Sequence, residues 1–137
     1  MQQITTPRNG AILTAAAHAA VHLPVILLIT TYNSQGSRWA IAPLTMITIT
    51  AAGIFYAWLQ DSAQSIWPAA IAHAAGNTLL AFVASAALPA ASVSMAYIAG
   101  EGGWVTAVVM TAVAIAVLRI ASRTVWRPAE QSQLIST

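Results

Sequence analysis

Four apolar stretches occupy most of the chain, at about 11–31, 41–59, 66–88 and 104–120, and together they hold one charged residue, Arg119. Each is close to the ~20 residues that an α-helix needs to cross the hydrocarbon core of a bilayer. A water-soluble domain carries about 25% charged residues. Here only 6% of 137 residues are charged and 58% are hydrophobic. Such a chain cannot clothe its surface in polar groups, so lipid must be its solvent. The expected architecture is an all-α membrane protein, a bundle of about four transmembrane helices making one domain over 1–125, with a polar tail at 126–137.

The boundaries are marked by turn-forming sequence. TYNSQGSRWA follows the first stretch, QDSAQS the second and PAASVSMAYIAGEGG the third, each rich in residues that favour turns. Ser65 is placed to cap the third helix, with Pro68 in its first turn, where a missing N–H is tolerated. Tyr32, Trp39, Tyr56, Trp58, Trp67, Tyr97, Trp104 and Trp126 lie near these boundaries, as amphipathic rings do at the headgroup level. The basic residues are five arginines, without lysine. Arg8 precedes the first stretch, Arg119, Arg123 and Arg127 close the fourth, and Arg38 alone lies in the first loop. The excess of arginine on one side predicts an integral membrane protein with both termini cytoplasmic, and a bacterial plasma membrane is the expected location.

Several classes are excluded. Arginines this sparse do not neutralise a phosphate backbone, so no nucleic-acid partner is expected. With no cysteine in the chain, disulfides and thiolate chemistry are ruled out. The opening MQQITTPRNG is polar and contains a proline, unlike a secretory signal.

Polar groups within apolar spans are expensive and commonly functional. The first stretch holds Thr14, His18 and His22, and the third holds His73 and Asn77, so all three histidines of the chain are expected inside the membrane. A spacing of four places each pair on one helix face. Ala69, Ala70, Gly76 and Ala81 surround the second pair with small side chains, which favours turning that face into the bundle. Counted at ~1.5 Å per residue from Gly10 and Ile66, His22 and His73 are expected at about 18 and about 10 Å from the cytoplasmic end. Pro24, two residues after His22, withholds a hydrogen bond from the carbonyl of Ala20 and predicts a bend beside a polar hollow. From the residues alone the histidines admit three roles: hydrogen bonding between helices, a proton relay, or a catalytic site. A metal ion needs further ligands, and Asp61 and Glu101 are expected in loops, so no cofactor is assigned.

The run AILTAAAHAAVHLPVILL resembles the second motif of the CPBP family, which includes the CAAX prenyl proteases and relatives linked to bacteriocin self-immunity. His22, Leu23 and Pro24 match its His-Leu-Pro, and His18 stands where an aromatic residue is usual. The run GIFYAWLQDSAQSIWPAAIAHAAGNTL resembles the later signature of that family, with Ser65, Trp67 and Pro68 as its lead-in and His73 and Asn77 as its His-x-x-x-Asn. Together the matches cover roughly residues 7–82. The resemblance implies an intramembrane endopeptidase, hydrolysing a peptide or protein substrate, prenylated or not. By the same resemblance His22 assists the attacking water, and His73 and Asn77 donate to the oxyanion. The first motif of the family, Glu-Glu-x-x-x-Arg, is not found in the chain. The expectation is that it falls before Met1, which makes this chain the C-terminal part of a family peptidase. A divalent metal enters only if those carboxylates are supplied. Two further readings stay open: a non-catalytic binding or immunity protein of the same fold, and a small proton-relay transporter subunit.

Overall fold

The computed structural model describes residues 6–29, 37–86, 94 and 97–126. Within them the chain forms α1 (Pro7–Leu28), α2 (Arg38–Ala63), α3 (Trp67–Ala86) and α4 (Trp104–Ala121). The fold is the all-α membrane bundle expected. Among the described residues α1, α2 and α4 are each long and apolar enough to cross a membrane. α3, with 20 residues, is ~30 Å long at 1.5 Å per residue, about the thickness of the hydrocarbon core.

α2 is the hub. α1, α3 and α4 each pack on it, and it buries Ile41, Ala42, Thr45, Thr48, Ile49, Ala51 and Ile54. The other helices offer it narrow stripes. Ala11, Ala15, Ala19 and Ile26 form one face of α1, and Ala107, Ala114, Val117 and Ala121 one face of α4. Lipid tails are as apolar as any side chain, so membrane helices gain most by close approach through small residues. At Gly53 that approach is at its limit, because an added Cβ would lie 2.8 Å from the Cβ of Ala15. Outward-facing Leu13, Val21, Ile47, Leu79, Phe82 and Val109 are all exposed, the arrangement a lipid solvent requires.

Contacts at the helix ends set the topology. The Arg38 guanidinium donates to the carbonyl of Leu27 at 2.8 Å, putting a cation on the orphan carbonyls that end α1. Beside it, the Ser37 N–H donates to the Tyr97 hydroxyl at 2.6 Å. At the opposite end, Trp126 Nε1 donates to Asp61 Oδ2 at 2.7 Å, tying the residues after α4 to the last turn of α2. The start of α1, the end of α2, the start of α3 and the end of α4 therefore share one end of the bundle, called here the Arg8 end.

Several boundaries move. α1 begins at Pro7, with Thr6 Oγ1 accepting the N–H of Asn9 at 3.3 Å as its cap. α2 runs on to Ala63 and absorbs four of the six residues of the expected loop, stopping at Gln64 in the left-handed conformation (φ 50°). α3 starts at Trp67, whose N–H is 3.4 Å from Ser65 Oγ. Trp126, assigned to the tail and to the headgroup level, is instead 5% exposed and part of the core. Tyr32, residues 89–93, 95 and 96 of the third loop, Arg127 and the rest of the tail lie outside the described residues.

Candidate functional site in the membrane

Several hydroxyl groups in the spans are satisfied by their own helices. Thr45, Thr50 and Thr78 each donate to the carbonyl four residues back, at 3.1, 2.8 and 2.9 Å, which is how such residues satisfy themselves within a helix. His22 does the same with one ring nitrogen, whereas His18, His73 and Asn77 make no such bond among the described residues.

On α1 the rings of His18 and His22 meet edge-on, centroids 4.8 Å apart and planes 70° apart. His22 Nδ1 lies 3.0 Å from the carbonyl oxygen of His18. A carbonyl only accepts, so Nδ1 carries the hydrogen, and in the neutral ring Nε2 is left with a lone pair. α1 continues through Pro24 to Leu28 without a break. His22 is half-buried beside the stripe that packs on α2, and His18 is exposed.

On α3, His73 lies against Tyr56 of α2, ring centroids 5.4 Å apart and planes 59° apart. Gly76, one turn on, faces the Tyr56 hydroxyl, which an added Cβ would meet at 3.5 Å. Asn77 and His73 are exposed, and Asn77 has no hydrogen-bond partner among the described residues. α1 and α3 lie against α2 without forming an interface of their own comparable to those with α2. The two histidine helices are thus joined through a third.

The earlier start of α1 also changes the depths. His22 is 15 residues beyond Pro7 and His73 six beyond Trp67, roughly 22 and roughly 9 Å along their helices. His18 and Asn77, 11 and ten residues in, are the pair that match, at roughly 16 and 15 Å. Two residues thereby join the cluster that the motifs did not assign to it. Tyr56 was read as an interfacial aromatic because the end of α2 was placed four residues early. His18 carried the right signal, its four-residue spacing from His22, without a role.

Neither described carboxylate belongs to this cluster. Asp61 accepts from Trp126 at the Arg8 end, and Glu101 lies in the turn before α4. Among the described residues no three His, Cys, Asp or Glu side chains gather as a metal-ligand set. The residues present do not fit a metal ion.

An α-helical bundle with an apolar outer surface and three helices long and apolar enough to cross a bilayer is an integral membrane protein. The sequence model of the family described as Type II CAAX prenyl endopeptidase Rce1-like matches residues 1–79. That is more than half of the chain, which belongs to this family. The matched region takes in α1, α2 and the first part of α3, with His18, His22, Tyr56, His73 and Asn77. Comparison with curated proteins and with solved structures gives no match.

Proposed function

We propose that this chain supplies the histidine and asparagine half of an intramembrane endopeptidase, acting on peptide bonds at or within the bilayer. The observation that carries the reading is the family match over residues 1–79, which ends two residues after Asn77. The chemistry of the side chains supports it. His22, fixed by its bond to the His18 carbonyl, offers Nε2 as an acceptor for a water proton. His73 and Asn77 offer N–H donors of the kind that stabilise a developing oxyanion. Hydrolysis would form the bond from water oxygen to the carbonyl carbon and break the C–N bond, with the proton passing to the leaving amine. The carboxylate base that the family resemblance calls for has to come from outside the described residues. The arginines gathered at the Arg8 end support a cytoplasmic location for both termini.

Cleavage of quenched-fluorescent peptides, prenylated and not, by the chain reconstituted in proteoliposomes together with a helix that bears Glu-Glu-x-x-x-Arg tests the reading. His22→Ala, His73→Ala and Asn77→Ala should each lower the rate, with His73→Ala or Asn77→Ala costing about 100-fold if the residue is an oxyanion donor. Thermal stability should stay near that of the unmodified chain. Undiminished cleavage in all three variants, or none by the unmodified chain, counts against it. The second outcome favours a non-catalytic binding protein of the same fold, a reading that the lack of a carboxylate in the cluster also supports.

A further inference from the structure

A different part of the molecule carries an arrangement that hydrolysis does not use. Between α2 and α4 runs an open groove of about 400 Å³, walled by Met46, Ile47, Ile54, Ile115 and Leu118, a size within the range of ~300–1,000 Å³ typical of ligand pockets. Thr50 and Thr111 also line it, but the Thr50 hydroxyl is turned back on the Met46 carbonyl at 2.8 Å. Ile115 and Leu118 wall a second hollow as well, of about 290 Å³, whose other sides are Arg8, Arg119 and Ser122. The apolar groove thus leads, at the Arg8 end, into a hollow walled by two arginines, one from the start of α1 and one from the end of α4. Neither guanidinium has a hydrogen-bond or ion-pair partner among the described residues.

We propose that the two hollows are one site for a single anionic phospholipid, with its phosphate between Arg8 and Arg119 and an acyl chain along the α2–α4 groove. Two cations held side by side repel, and a shared phosphate turns that repulsion into charge-assisted, bidentate hydrogen bonding. The wall of the groove explains why the rest of the ligand is hydrocarbon. A peptide laid there would leave its N–H and C=O groups unpaired in a water-free setting, whereas an alkyl chain asks for no partner. The position fits too, because anionic headgroups at a cytoplasmic leaflet attract basic groups at the ends of membrane helices. The inference rests on membrane placement and is independent of peptidase activity.

Native mass spectrometry of the full chain, released from detergent after titration with phosphatidylglycerol or phosphatidylcholine, reads the site directly. Phosphatidylglycerol should bind roughly tenfold tighter or more, two arginines each adding to the attraction. The double variant Arg8→Gln with Arg119→Gln should lose that preference, while Arg123→Gln, at the same end but outside the hollow, should keep it. Thr111→Trp, which fills the groove, should weaken both lipids together. Equal affinity for the two lipids in the unmodified chain would overturn the proposal. So would an Arg123→Gln variant as impaired as the double one, which is the mark of diffuse surface charge. Displacement of phosphatidylglycerol by an equal concentration of inorganic phosphate would also overturn it, leaving an anion site with no use for the groove.

Discussion

The absence of one side chain at Gly53 decides how closely α1 can lie on α2. Any Cβ there would sit 2.8 Å from Ala15 Cβ and 3.1 Å from its Cα, and neither atom belongs to a flexible side chain that can swing aside. Gly53→Leu should therefore push the helices apart and destabilise the protein by about 1–3 kcal/mol, the usual range for overpacking. Thermal unfolding in detergent would show this as a lowered Tm. Gly76→Ala is the matched control, since its added Cβ meets only the Tyr56 hydroxyl at 3.5 Å, an ordinary contact, and Tm should change little. The residue scale also shows what a motif conveys. His22, His73 and Asn77 were legible because rare polar types recur at four-residue spacing in apolar helices. Tyr56 was not, because an aromatic near a helix end looks the same whether it faces lipid headgroups or the histidine of a neighbouring helix.

At the scale of elements, the bundle is held at its ends by polar bonds and along its length by alanine. Trp126 shows how the two combine. Its ring is buried among Ala11, Ile54, Val117 and Ala121, and its N–H reaches Asp61 at 2.7 Å. Trp126→Phe keeps much of the apolar contact and leaves the Asp61 carboxylate without this donor. A loss of about 1–3 kcal/mol is expected, as for hydrogen bonds to charged groups. The loss should show as a lower unfolding midpoint and as faster proteolysis of residues beyond α4. Asp61→Asn retains an acceptor oxygen and should be milder. Helix existence was readable from the four apolar runs, but the end of α2 was not. Gln60, Asp61 and Ser62 are polar, which argues for a loop until their helix projects beyond the apolar layer and meets Trp126.

For the whole molecule, the helix ends sort the arginines. Arg8, Arg119 and Arg123 lie at one end and Arg38 at the other, where it closes α1 through Leu27. The chain has no native cysteine, so single cysteines can report sidedness cleanly. Thr6→Cys and Thr124→Cys should both react with a membrane-impermeant maleimide from the cytoplasmic face of inverted vesicles, and Ser37→Cys from the opposite face. Labelling of Thr6→Cys and Ser37→Cys from the same side would overturn the arrangement.

Composition and periodicity alone determined the solvent, the number of helices and the rare polar residues worth attention, because each of these is a property of short segments and of total charge. Which helices touch was decided only in three dimensions. A stripe of alanines states that a helix packs closely, but not against which neighbour. Here α2 takes all three partners, so His22 and His73 stand on helices joined through α2 rather than directly. The same assembly brings Arg8 and Arg119, 111 positions apart in sequence, to the two sides of one hollow. No local pattern encodes that meeting, because it depends on how α1 and α4 are both carried by α2.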